Sequence, residues 1–166
     1  MKYTSTLFIV VCLMLVGSVC AAPLKDDAVH RRPVALEYSA ATSQLLILNQ
    51  RSASMSIFDT QRQMILREDQ LGGRPTDMEW IDGTALVAVS NDETHVVSLY
   101  RVSTQQLLHV HDIPSCRYPI QLKYDARTSL LYVAGLWSRQ LAVLRIDQTE
   151  PQQSKLVQLV DLSFAP

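Results

Sequence analysis

Residues 32–40 read RPVALEYSA, residues 74–82 read RPTDMEWID and residues 117–125 read RYPIQLKYD. Each stretch has a proline (Pro33, Pro75, Pro119) and, five residues later, an aromatic (Tyr38, Trp80, Tyr124). Eleven residues beyond each aromatic stands a turn-forming residue: Asn49, Asn91 and Gly135. Three anchors at constant spacing make these stretches copies of one repeating unit.

The segments that close on those turn residues, QLLILN, LVAVSN and LLYVAG, have the β-branched and aliphatic content of buried strands. A third strand follows in each unit (SMSIFDT, HVVSLYRVST, QLAVLRID) and then a fourth (QMILRE, QLLHVHDI, KLVQLVDL). The polar stretches TQRQ, STQQ and DQTEPQQS separate them. The periods are 42, 44 and 47 residues, counted to Pro166, with the length differences confined to loops. Four short antiparallel strands repeated at this period predict an all-β fold built of β-propeller blades, three four-stranded repeats of an incomplete ring. The expected units are a lead-in at 22–32, blade 1 at 33–74, blade 2 at 75–118 and blade 3 at 119–166.

The repeat resembles the YVTN-type propellers, whose blade pattern is related to that of lactonase-like and WD40-like propellers. The counterparts of the family's strand–loop–strand signature are LILN with MSIFDT and YVAG with LAVLRID, and AVSN with SLYRVST is a more divergent copy. The resemblance covers residues 33–166. It implies architecture strongly and chemistry weakly.

Residues 1–21 stand apart from the repeats. Lys2 precedes the apolar run LFIVVCLMLV, and the small residues of GSVCAAP follow. This is the layout of a cleavable secretory leader, cut after Ala21, and the run is short for a membrane span. Cys20 raises lipid attachment, but Gly17 and Val19 make a poor lipobox. Of the three cysteines, Cys12 and Cys20 leave with the leader, so Cys116 alone cannot form an internal disulfide. The expectation is an exported protein, periplasmic or extracellular, with no stable membrane span in its mature form. A formal net charge of −1 and the lack of basic runs give no electrostatic reason to expect nucleic acid as a partner.

A blade has two apolar faces and hides them only against neighbours. Three blades alone would expose a face at each end. The expectations are therefore an amino-terminal fragment of a longer propeller, a homodimer completing a six-bladed ring, or an irregular stack. The last residue, Pro166, stands where Pro33, Pro75 and Pro119 stand, which favours the first of these.

Propeller ligands usually meet the end of the ring where the loops between strands two and three gather with those joining successive blades. Here those loops carry Arg32, Arg74 and Arg117, then Asn49, Gln50 and Arg51, then Asn91, Asp92 and Glu93, and finally Trp137, Ser138 and Arg139. Arg74 and Arg139 are candidates to grip a carboxylate or phosphate, Trp137 to stack, and Asn49 and Asn91 to hydrogen-bond a ligand. His109 and His111, two apart on a strand and so expected on one face, are weak metal candidates with Asp112 or Cys116. His95 reads as a solvated loop residue. A nucleophilic Cys116 would need a nearby base, which the sequence places only thinly in His111. Glu37, Glu79 and Lys123 occupy equivalent inner-strand places, where they would line a polar channel or pair across blades.

No catalytic residue set, phosphate loop, nucleophile elbow or haem-attachment motif is present, and no cofactor is expected. The reading that results is a non-catalytic binding or protein-interaction scaffold with an unknown protein or small-molecule ligand. The alternatives are a lactonase-like or metal-dependent propeller enzyme, or the propeller portion of a larger exported haem-linked redox protein.

Overall fold

The computed structural model describes residues 30–103 and 105–162. The leader at 1–21, with Cys20, and Pro166 lie outside the described residues. Twelve strands fall in three antiparallel sheets, each with its strands paired in sequence order. Blade 1 comprises β1 (Pro33–Ser39), β2 (Gln44–Asn49), β3 (Ser54–Asp59) and β4 (Met64–Gln70). Blade 2 comprises β5 (Pro75–Trp80), β6 (Leu86–Asn91), β7 (Val96–Val102) and β8 (Leu107–Pro114). Blade 3 comprises β9 (Pro119–Asp125), β10 (Leu130–Gly135), β11 (Gln140–Arg145) and β12 (Lys155–Asp161). The all-β class and the three four-stranded repeats are as the spacing predicts. The long turn before β12 adds a short 3-10 turn at Pro151–Gln153.

Side chains do much of the turn-making. Asp59 Oδ1 accepts from the amides of Gln61 and Arg62, each at 2.9 Å, and Asp147 Oδ1 accepts from Thr149 at 2.9 Å and Glu150 at 2.8 Å. Such Asx turns set the chain reversal without glycine. Hairpin loops also place Ser43, Ala53, Gln63, His95, Ser129 and Arg139 at positive φ.

The core consists of two inter-blade seams. Leu46, Leu48, Met55 and Ile57 of blade 1 pack on Met78, Val87, Val89 and Tyr100 of blade 2. On the other face of blade 2, Ile81, Leu86, Ala88, Val97 and Leu99 pack on Leu122, Leu131, Val133, Ala142 and Leu144 of blade 3. Strand alternation makes this possible, because β6 sends Val87 and Val89 one way and Leu86 and Ala88 the other. The face of blade 1 turned away from blade 2 has no such cover among the described residues. Leu36 is 61% exposed, Tyr38 53% and Ile65 48%.

The inner strands lie side by side, β1 against β5 and β5 against β9. Each outer strand carries a β-bulge opposite its neighbour, at Ile57/Phe58, Leu99/Tyr100 and Val143/Leu144. The extra residue reverses the facing of everything beyond it.

Candidate functional site

At the end of the seam between blades 1 and 2 lies a cleft of about 510 Å³ lined by Arg32, Gln50 and Arg51 on the side of blade 1 and by Gly73, Arg74 and Glu93 on the side of blade 2. The backbone fixes both walls. Gln50 and Arg51 donate their amides to the carbonyls of Arg32 and Arg31, each at 3.0 Å, which ties the β2–β3 loop to the strand entry. On the other wall Asn91 Oδ1 accepts from the amides of Arg74 (3.2 Å), Glu93 (3.1 Å) and Thr94 (3.3 Å), while its Nδ2 donates to the Gly72 carbonyl at 3.3 Å. Gly73 sits at φ +62, and a Cβ there would run into that amide. Arg74 Nε donates to Asp92 Oδ1, leaving the rest of its guanidinium exposed. Among the described residues, neither Arg32 nor Arg51 has a carboxylate within ion-pair distance. With Asp92 paired to Arg74 and Glu93 in the lining, the three arginines still leave the cleft net positive, which suits an anionic group.

Of the five residues offered as ligand contacts, Arg74 lines this cleft, beside Arg32, Gln50, Arg51 and Glu93 of the loops named with it, and the other four do not line it. Asn91 is spent on the loop backbone. Asn49 is buried, donating to Ser56 Oγ at 2.9 Å and to Ser54 Oγ at 3.3 Å. Trp137, 76% exposed, and Arg139 belong to the β10–β11 loop of blade 3 and do not line the cleft. Arg32 and Arg51 join Arg74 instead. The Arg-Pro pair opening blades 1 and 2 was the sequence signal for Arg32, whereas Arg51 had only its neighbourhood.

The two candidate metal ligands do not share a face. His109 pairs with Tyr100 and His111 with Leu99, so the bulge at Leu99/Tyr100 turns them to opposite sides. His109 packs edge-on against Tyr100 at 5.4 Å and bonds Asp112 Oδ1 at 2.8 Å, whereas His111 reaches the Ser154 carbonyl of blade 3 at 3.2 Å. Against the upward push of burial, bonds from Ser98 and His109 hold the Asp112 carboxyl below its ordinary range. No group of three or more His, Cys, Asp or Glu side chains is placed to hold a metal among the described residues. Cys116 is buried, and burial pushes its thiol up, away from thiolate chemistry. His95 differs from the solvated residue expected. Its Nδ1 accepts the Tyr118 amide at 3.3 Å and its ring meets Tyr118 edge-on at 5.0 Å.

The inner strands hold the remaining ionisable set. Glu79 Oε1 accepts from Lys123 Nζ at 2.6 Å and from the Tyr124 amide at 3.2 Å, and Asp77 Oδ2 accepts from the Leu122 amide at 2.7 Å. These carboxylates of β5 satisfy N–H groups on the edge of β9 that no strand pairs. Thr76 Oγ1 adds a bond to the Pro119 carbonyl at 2.6 Å. Burial raises the Asp77 carboxyl, partly offset by the Leu122 and Met78 amides. At the equivalent place in blade 1, burial and then the charge of Glu79 push Glu37 up to about 7, with Lys123 opposing.

No protein-family model matches the sequence, and no curated protein sequence matches it. Solved structures do resemble it in fold. Hydrazine synthase of Kuenenia stuttgartiensis is 22% identical with a TM-score of 0.66, over 86% of this chain and 39% of that one. The periplasmic gluconolactonase PpgL of Pseudomonas aeruginosa is 19% identical with a TM-score of 0.69, over 78% and 40%. The Swd1 β-propeller domain of Myceliophteria thermophila is 13% identical with a TM-score of 0.62, over 78% and 43%. The chain spans less than half the length of each. The fold is that of β-propeller blades.

Proposed function

We propose that this chain is part of an exported propeller scaffold of the YVTN-type repeat class, and that it binds an anionic group, without chemistry, between its first two blades. The observation that carries the reading is the convergence of Arg32, Arg51 and Arg74 on one cleft. A carboxylate, phosphate or sulfate group there takes charged hydrogen bonds from both walls, so binding also joins the blades. The exposed apolar face of blade 1 supports completion of the ring by further blades. Export rests on the leader-like residues 1–21.

Titration calorimetry with sulfate and small dicarboxylates tests the cleft. Binding that is lost when Arg32 and Arg51 are both replaced by alanine supports it, and binding indifferent to those changes sinks it. A lactonase-like activity is the second reading, favoured by the inner-strand carboxylates Glu37, Asp77 and Glu79. Turnover of a lactone panel that is abolished by Glu37→Gln would put that reading first. Amino-terminal sequencing of the exported protein tests the leader, with Ala22 the expected first residue.

A further inference from the structure

The arginine cleft and the exposed aromatic residues of blade 3 lie at one end of the ring. In a meander, the loops entering each blade and those between its second and third strands emerge on the same side. Arg32, Arg51 and Arg74 stand on such loops of blades 1 and 2, and Tyr118, Leu136 and Trp137 on those of blade 3.

Hydrogen bonds join the two groups. Asn91 Oδ1 holds the Arg74 amide, and the loop then runs through Asp92, which binds the Arg74 guanidinium, to His95. His95 Nδ1 accepts the Tyr118 amide at 3.3 Å, and the Tyr118 carbonyl accepts the Leu136 amide at 2.9 Å. Thr76 Oγ1, two residues past Arg74, donates to the carbonyl of Pro119, one residue past Tyr118. The β6–β7 loop of blade 2 therefore bridges the cationic cleft to the loops of blade 3.

The two halves offer different chemistry. The cleft stays net positive beside Asp92 and Glu93 and suits a carboxylate. Tyr118, Leu136 and Trp137 are 40%, 50% and 76% exposed, three large apolar side chains on neighbouring loops. Tyrosine, tryptophan and arginine are the side chains that most often anchor protein contacts. Arg32 and Tyr118, one in each half, also hold left-handed backbone directly before a proline, at φ +52 and +54. Non-glycine residues kept in that region are uncommon and gather where ligands are gripped.

We propose that this end of the ring docks an extended peptide segment of a partner protein, with an acidic side chain in the arginine cleft and a large apolar side chain covering Tyr118, Leu136 and Trp137. The proposal rests on the anion-cleft reading above and names the partner class. Packed sheets stand ~10 Å apart, so the cleft between blades 1 and 2 is on the order of 15 Å from the loops of blade 3. An extended chain covers that in about four or five residues, which sets the spacing of the two anchors. Sulfate or a small dicarboxylate fills the cleft alone and leaves the apolar side chains in water, whereas a peptide engages both. Single-stranded nucleic acid also combines anions with stacking groups. Its phosphates at every step would meet Asp92 and Glu93, and a formal net charge of −1 adds no long-range attraction, so one placed carboxylate fits better.

The full chain is panned with a random dodecapeptide phage library, and the enriched peptides are measured by fluorescence polarisation at constant ionic strength. They should carry an acidic residue and a large apolar residue about four or five positions apart. Leu136→Ser with Trp137→Ser should weaken them about tenfold or more, while calorimetric sulfate binding stays as in the parent. Arg32→Ala with Arg51→Ala should weaken both peptide and sulfate. All four positions are exposed, so the variants keep the fold. Peptide binding that survives either double replacement overturns the proposal. Sulfate binding without enrichment of peptides bearing both anchors overturns it and leaves the anion cleft standing. Absence of both sulfate and peptide binding overturns both readings. Oligothymidylate that binds more tightly than any selected peptide, and is weakened by both double replacements, overturns the peptide and gives the surface to single-stranded nucleic acid.

Discussion

Glu79 Oε1 lies 2.6 Å from Lys123 Nζ across the seam between blades 2 and 3. The same inner-strand place one blade earlier holds Glu37, whose neighbour across the next seam is Glu79 itself. A glutamate–glutamate–lysine ladder therefore runs across the inner strands, and its two steps have opposite sign.

The uncompensated step sets a pH dependence of stability. Glu37 holds its proton more tightly when folded, about 7 against an ordinary 4.5. Its contribution is full below the ordinary value and fades as pH rises through the folded one. Thermal melts should show the parent losing stability between pH 5 and pH 8. Glu37→Gln should melt higher than the parent at pH 8 and close to it at pH 4.5. A variant that melts lower at pH 8 would show that the carboxylate is stabilising.

Asp77 is a clamp whose acceptor matters more than its charge. Asp77→Ala leaves the Leu122 amide unpaired in the seam and should cost about 1–3 kcal/mol by chemical denaturation. Asp77→Asn keeps an acceptor oxygen and should cost markedly less. Equal losses in the two would mean that the charge, not the hydrogen bond, holds β9.

The two faces of blade 1 should respond oppositely to substitution. Leu46, fully buried in the first seam, should cost about 2–5 kcal/mol as alanine. Leu36, on the uncovered face, should cost no more than ~0.5 kcal/mol as serine. Light scattering on Leu36→Ser should also show less self-association than the parent. Unchanged self-association would show that the exposed face is not its cause.

Glycine matters at one turn more than at another. Gly73 and Gly83 both hold positive φ, but only Gly73 has a neighbour in the way of a Cβ. Both alanine variants should lose about 1–2 kcal/mol to left-handed backbone. Gly73→Ala should lose more, and should also weaken sulfate binding because Asn91 orders the Arg74 wall. Equal losses at the two sites would mean that the Asn91 amide yields freely.

The repeat was legible because its information is local. A proline, an aromatic and a turn residue at fixed spacing define a blade whatever surrounds it, and alternation then says which residues are buried. The site was less legible because it depends on relations between blades. Arg32 and Arg51 meet Arg74 only once β1 stands beside β5. His109 and His111 defeated the two-residue rule because a bulge, set by how the outer strand twists, has no residue signature here. Asn49 and Asn91 carry the composition of ligand-binding residues, yet the same donors and acceptors serve the loops that display the arginines.

Every ladder in this structure joins strands adjacent in the chain. Each blade is a meander whose pairings close over short loops, so its sheet can zip with little loss of chain entropy. The seams bring together residues about one blade apart in sequence and must form afterwards. Closure of the seams, rather than the pairing of strands, therefore carries most of the loop-closure cost of this fold.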